Sequence, residues 1–254
     1  MKKQTAKEYS YLAAIPDGVG VTDFHTHLLP GMDDGSKSLD ESLKMLGLLA
    51  DAGVTRVIAT PHFYARSEKP SDFFARRADR LNQLREALPE GSPEILAGAE
   101  VYFFDGLVMI DELERFRVEG SELILIEMPF SRWSDRMVQD LKTIHSRRGF
   151  CVVLAHAERY YEFGNLAAIR ELSDCGVLIQ ANASFFRGFF GQKKALRAFS
   201  SGLIDLLGSD CHNLDTRAPD LGTALEALYG RLGAEEFADF LTGTEDTIRG
   251  SAIS

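Results

Sequence analysis

Residues 21–27, VTDFHTH, open as a short apolar strand and end on two imidazoles, His25 and His27. The same pattern recurs down the chain. TRVIATPH (55–62) ends in His62, ILAGAE (95–100) in Glu100 and ILIE (124–127) in Glu127. CVVLAH (151–156) ends in His156, and IDLLGSDCH (204–212) carries Asp210 and His212. Each apolar run reads as a buried strand, and each time the ligand-type residue comes last. If the strands are parallel, these residues converge on one face. Imidazole and carboxylate donors suit first-row metals, so the pattern predicts a metalloenzyme.

Between the strands lie helix-like segments. Ser38 to Glu41 makes a capping box for a helix that ends near Ala52 and Gly53. Helical patterns follow over 72–88, 109–115, 133–148, 165–175 (with Asn165 as cap) and 193–201, then over 220–231 and 234–241. Further strands are expected over 151–155, 177–180 and 204–207. About seven β/α units result, with no linker or low-complexity stretch to divide them. Residues 1–254 therefore read as one domain, with residues 1–18 a polar N-terminal extension. A doubly wound sheet would gather its functional residues at one switch point, whereas a barrel takes them from the ends of many strands. No glycine-rich dinucleotide fingerprint follows the first strand. The expected fold is α/β, a distorted TIM-like β/α barrel of about seven strands.

The 254 residues are 45% apolar and carry a net charge of −10. That permits a sizeable core and argues against a nucleic-acid partner. Cys151, Cys175 and Cys211 are scattered and odd in number, as in a reducing compartment rather than a disulfide scaffold. No secretory leader and no membrane-spanning run is evident, so a cytoplasmic protein without membrane insertion is expected.

An H-x-H pair on a strand points both rings the same way, and Asp210-Cys211-His212 repeats that spacing. Each residue has a plainer explanation. A histidine can be a hydrogen-bonded core residue, which is the reading for His145, inside a helix. Glu100 and Glu127 could be caps or ion-pair partners, yet buried carboxylates are costly unless paired or metal-bound. Asp33 and Asp34 precede Gly35, and Asp33 is read as ordinary turn chemistry. Cys211 to Arg217 fits C-x5-R, the signature of cysteine-dependent tyrosine phosphatases. However, the loop has no glycine and contains Asp215, and Cys211 should point away from the metals. In SFFRGFFG (184–191), the four phenylalanines are expected mainly to pack under a loop, with an aromatic rim as the alternative.

DFHTHLLPGMDDGS (23–36), TPH (60–62), the lone Glu100 after AGA, IEMPF (126–130), AHAER (155–159) and GSDCHN (208–213) with the later Arg217 resemble the PHP (polymerase and histidinol phosphatase) superfamily. More closely, they resemble its bacterial capsule-type tyrosine phosphatases, the CpsB/YwqE type. The resemblance runs from about Val21 to Arg217. It implies three divalent metal ions, with Mn expected and Fe or Zn also suitable. One would be held by His25, His27, Glu100 and Asp210, a second by Glu100, Glu127 and His156, and a third by Asp34, His62 and His212. It implies that Arg159 and Arg217 bind phosphate and that Asp34 or His212 supplies or relays a proton. The implied activity is hydrolysis of phosphotyrosine on a partner protein, a bacterial tyrosine kinase tail that controls exopolysaccharide or capsule production. A small-molecule phosphatase acting on histidinol phosphate is the alternative enzyme. A catalytically silent metal-bound module, as in polymerases, is the alternative of another class.

Overall fold

The computed structural model describes residues 9–147 and 149–250. Residues 1–8 of the expected extension and Arg148, at the expected end of a helix, lie outside the described residues. Every strand pairing is parallel. The strand segments are β1 (Thr22–Thr26), β2 (Arg56–Ala59), β3 (His62–Phe63), β4 (Glu94–Ala97), β5 (Glu100–Tyr102), β6 (Leu123–Glu127), β7 (Cys151–Leu154), β8 (Leu178–Asn182) and β9 (Leu206–Gly208). They pair in the orders β1-β2-β4 and β3-β5-β6-β7-β8-β9.

β2 and β3 are halves of one strand, broken at Thr60-Pro61, and β4 and β5 are halves of another, broken at Gly98-Ala99. The Gly98 amide donates to Ala59 O and the Glu100 amide to Pro61 O, which carries the pairing across both breaks. Nine segments thus make seven strands. The sheet curls until β9 meets β1, where the Asp210 amide donates to His25 O and the His27 amide to Cys211 O. His62 and Glu100 therefore open short outer segments rather than end strands, a difference from the sequence expectation. Proline lacks the amide that an unbroken ladder needs, and Gly98 leaves room for the chain to step outward.

Six helices surround the sheet: α1 (Leu39–Asp51), α2 (Pro70–Glu86), α3 (Asp135–His145), α4 (Leu166–Asp174), α5 (Gly188–Ser200) and α6 (Leu221–Gly250). Ser38 Oγ accepts the Glu41 amide at the start of α1, as the capping box predicts. α6 is two helices joined at Gly233, whose φ of 79° only glycine adopts easily. The second runs well past the expected Leu241. Three expectations fail. Short 3-10 turns (Leu107–Met109 and Leu113–Phe116) replace the helix over 109–115. Asn165 does not cap α4, because its side chain accepts the Trp133 amide and donates to Ser131 O. Finally, GFFG forms the first turn of α5 rather than a loop. Of the four phenylalanines, Phe186 is buried, while Phe189 and Phe190 are 74% and 78% exposed.

The barrel interior is a separate apolar cluster. Phe24, Ile58, Leu96, Leu125, Val153, Leu178 and Leu206 supply it, one from each strand, in the layered manner of closed β/α barrels. Helix-facing residues form the larger outer core. β1 carries a bulge, since Asp23 pairs with Val57 but Thr26 with Ala59, leaving one extra residue on β1. A bulge reverses the alternation of side chains. Phe24 can therefore lie inside the barrel with His25 and His27 on the same side above it. Asp23 secures the bulge by accepting the His25 and Ser209 amides on one carboxylate oxygen.

Gly208 closes the seam opposite that bulge. A Cβ there would come within 2.5 Å of the His25 Cβ. Gly208→Ala should destabilise the protein by about 1–3 kcal/mol through overpacking and lower its metal content as His25 is pushed aside. Thermal unfolding and elemental analysis test this, and an unchanged melting temperature would show that the seam yields freely.

Candidate metal centre

The predicted residues meet at the C-terminal mouth of the barrel. His25 Nε2 and His27 Nε2 are 3.0 Å apart, and Glu100 Oε2 lies 3.2 Å from each. Asp210 Oδ1 lies 3.7 Å from the first and 3.4 Å from the second. Donors about 2.1 Å from a tetrahedral ion sit roughly 3.4 Å from each other. The five separations lie near that length.

Beside it, His156 Nε2 is 2.8 Å from Glu100 Oε1 and 3.5 Å from Glu127 Oε1. On the other side Asp34 Oδ1 lies 3.4 Å from both His62 Nε2 and His212 Nε2. All nine residues proposed as ligands thus gather in three adjoining groups. The donor sets that close on one point differ from those expected, with Glu100 outside the His25, His27 and Asp210 set and His156 outside the Glu100 and Glu127 set. His27 also joins the Asp34, His62 and His212 group, and His62 also approaches Glu100 and Glu127.

Hydrogen bonding fits a metal site. His62 Nδ1 and Glu100 Oε2 are only 2.9 Å apart, yet neither has a hydrogen-bond partner, nor does His212 Nε2. An orphaned buried polar atom costs about 1–3 kcal/mol. Three at one point, all metal-ligand types, fit divalent ions. The neighbouring charges agree. Burial lowers the proton affinity of His27, but Asp33 and Glu100 outweigh it and raise its pKa to about 10. His156 likewise rises to about 9 against burial, through Glu100 and Glu127. Burial and the nearby His27 push His212 down to about 3.

Backbone strain accompanies the ligands. His156 and Asp210 have φ of 32° and 52°, costly for residues with a Cβ and typical of functional sites. Both oxygens of Asp210 are engaged by arginines. Arg159 donates to Oδ2 at 2.5 Å and Arg217 to Oδ1 at 2.7 Å. The two guanidinium groups are about one-third exposed, so they rim the site with cationic donors.

The sequence assigns no role to the residues that orient the ligands, although Asn182 is expected to end a strand near the site. Asp33 is no ordinary turn residue. Its carboxylate accepts from His27 Nδ1 at 2.8 Å and from the His62 and Gly35 amides. Gly35 is obligatory for this loop, because a Cβ there would lie 2.1 Å from His27 O. Gln180 Oε1 contacts His25 Nδ1 and accepts the His156 amide, and Asn182 Nδ2 donates to Asp210 Oδ2. A signal for the last two was present, since Gln180 and Asn182 are polar residues two apart on one face of an apolar strand.

The cysteine route fails on structure. Cys211 is wholly buried, and burial together with Asp23 pushes its thiol pKa well above the ordinary range. The amides of the C-x5-R loop serve internal turns. Those of His212 and Asn213 donate to Arg217 O, and those of Asp215 and Arg217 to Asn213 Oδ1. They do not form an open phosphate cradle.

A family model described as capsular polysaccharide synthesis, CpsB/CapC, matches residues 21–248. The chain belongs to the CpsB/CapC family. It is 32% identical over 227 residues to the tyrosine-protein phosphatase YwqE of Bacillus subtilis, covering 84% of this chain and 85% of the relative. It is 30% identical over 227 residues to the tyrosine-protein phosphatase CpsB of Streptococcus pneumoniae, covering 84% and 92%. A structure from work on YwqE of B. subtilis and CpsB of S. pneumoniae, described as metal-dependent tyrosine phosphatases, superimposes with a TM-score of 0.78 at 26% identity. It covers 92% of this chain and 96% of the other.

Two outcomes follow. Asp33→Ala should weaken metal binding about 10–100-fold by releasing His27, measured by metal titration of the apo protein; unchanged affinity would mean that Asp33 serves the loop alone. Metal binding must also displace the protons that His27 and His156 hold above neutral pH. Affinity should therefore rise between about pH 6 and 8, with proton release visible by calorimetry in buffers of different ionisation heat. A pH-independent affinity would exclude these imidazoles as ligands.

Proposed function

We propose that this chain is a metal-dependent protein-tyrosine phosphatase, acting on phosphotyrosine of a partner protein. The observation that carries this reading is the clustered ligand set beneath two arginines, in a chain whose relatives bear that activity in their names. The favoured partner is the tail of a bacterial tyrosine kinase that controls capsule or exopolysaccharide production. No helix among the described residues is long and apolar enough to cross a membrane, and we place the protein in the cytoplasm. One domain, residues 1–254, would carry the activity.

Three divalent ions, Mn first among the candidates, would sit on His25, His27, Glu100 and Asp210; on Glu100, Glu127 and His156; and on Asp34, His62 and His212. When bound, such ions supply hydroxide near neutral pH and offset charge on the phosphoryl oxygens. The rest falls to side chains. Arg159 and Arg217 would grip the phosphate with planar N–H pairs. Asn182 and the arginines hold Asp210 in place. The tyrosine phenolate, with an ordinary pKa near 10, is a good leaving group. Asp34, 67% exposed, or His212 would pass a proton to it.

Hydrolysis of a phosphotyrosine peptide should be abolished by chelation and restored by Mn2+, while Cys211→Ser remains active. A metal-loaded but inactive Cys211→Ser protein would revive a thiol nucleophile. Glu100→Ala should lose more bound metal than His62→Ala, because its carboxylate serves two ions; equal losses would refute the ligand assignment. Arg159→Ala and Arg217→Ala should each cost about 1.5–3 kcal/mol of transition-state binding without loss of metal. Lysine should restore either position poorly. Wild-type kcat/KM in both alanine variants would place the phosphate grip elsewhere.

A further inference from the structure

Three adjacent strands carry a repeated arrangement that metal binding does not use. Two residues beyond His62 stands Tyr64, two beyond Glu100 stands Tyr102, and two beyond Glu127 stands Pro129. In extended chain, residues two apart face the same way. β3, β5 and β6 are neighbours, so their ligands are followed outward by an apolar wall. Tyr64 stacks on His62 with centroids 5.2 Å apart, and Tyr102 lies 5.6 Å from Tyr64. With Phe104 and Met137, these residues line an open cavity of about 410 Å3, within the range of small-molecule sites. The stacking of Tyr64 on His62 sets the wall beside the metal cluster.

We propose that this cleft holds the aromatic ring of the phosphotyrosine and makes the enzyme selective for aryl phosphate esters. The inference rests on the phosphatase reading above. One feature selects this cleft over the aromatic surface formed by Phe130, Phe163 and Phe185. That surface includes Arg159, so a ring lying there would cover the guanidinium needed for the phosphate. The Tyr64 cleft leaves both arginines free. A ring there would pack against the tyrosine faces in the offset or tilted geometries that aromatic pairs favour.

The test compares Tyr64→Ala, Tyr102→Ala and Phe104→Ala in the metal-loaded full chain. The substrates are a phosphotyrosine peptide and the matching phosphoserine peptide, and inorganic phosphate serves as inhibitor. The cleft predicts a KM for phosphotyrosine raised about tenfold or more by lost aromatic burial. The inhibition constant of phosphate should stay within about twofold, and Tyr64→Phe should restore the wild-type KM because the ring returns. Equal losses on both peptides, with weaker phosphate inhibition and lower metal content, would make Tyr64 a prop for His62 and overturn the proposal. Unchanged KM in all three variants would also overturn it while leaving the phosphatase reading intact. A wild-type enzyme that ignored phosphotyrosine yet hydrolysed other phosphate esters would overturn both.

Discussion

Glu100 is a fully buried carboxylate ringed by imidazole. Its oxygens lie within 3.2 Å of nitrogen atoms from His25, His27, His62 and His156. A bare carboxylate in such a place would carry a large desolvation cost. The positive charge collected around it, whether protonated imidazole or metal, is what makes the position tenable. Much of the mouth of the barrel follows from that requirement. The step at Gly98-Ala99 opens β5 at Glu100, the bulge in β1 turns His25 and His27 toward it, and the positive φ of His156 brings its ring from the far side. The layer of side chains directly beneath is apolar.

The strained residues sit where the barrel is best held. His156 is fixed by its amide on Gln180 and its ring on Glu100, and Asp210 by Asn182 and two arginines. Strain of a few kcal/mol persists only when surroundings over-determine it. Here they do, through polar bonds between side chains of neighbouring strands. Gln180 alone links β8 to His25 and to His156. The fold and the site therefore share these interactions, and loosening one loosens the other.

Much of this was legible in sequence, because a strand end is a strong positional signal. Apolar runs of four to five residues fix the strands, and the last residue of each run reports which way the barrel opens. The eight ligand-type residues read in this way lie at one mouth of the barrel, joined there by Asp34 from the loop after β1. What escaped reading depends on contacts between elements. Nothing local tells Asp33, which orients His27, from a residue that merely caps a turn before Gly35. Asn165 has the chemistry of a helix cap, yet the Trp133 amide and Ser131 carbonyl compete for it more successfully. The extra residue in β1 leaves no mark in VTDFHTH, since its evidence lies in the register with β2. GFFG looks like a loop because glycine is a poor helix former, and its helical state comes from the rest of α5.

The arginines expose a balance that ordinary salt-bridge reasoning would overlook. Each guanidinium has five N–H donors, and its bond to Asp210 uses one terminal nitrogen. The carboxylate therefore holds both forks at the rim without consuming them. In the free site this pairing offsets two cations that would otherwise repel each other and the metal ions. On the proposed reading, a phosphate dianion would meet donors already held at the rim, so less side-chain ordering would be needed on binding. The same pairing also ties the grip to the metals, because Asp210 Oδ1 faces His25 and His27 as well as Arg217. A change that moved Asp210 would displace a proposed ion ligand and both proposed phosphate donors together. For that reason an Asp210 substitution cannot separate metal loss from phosphate loss, whereas changes at the arginines can.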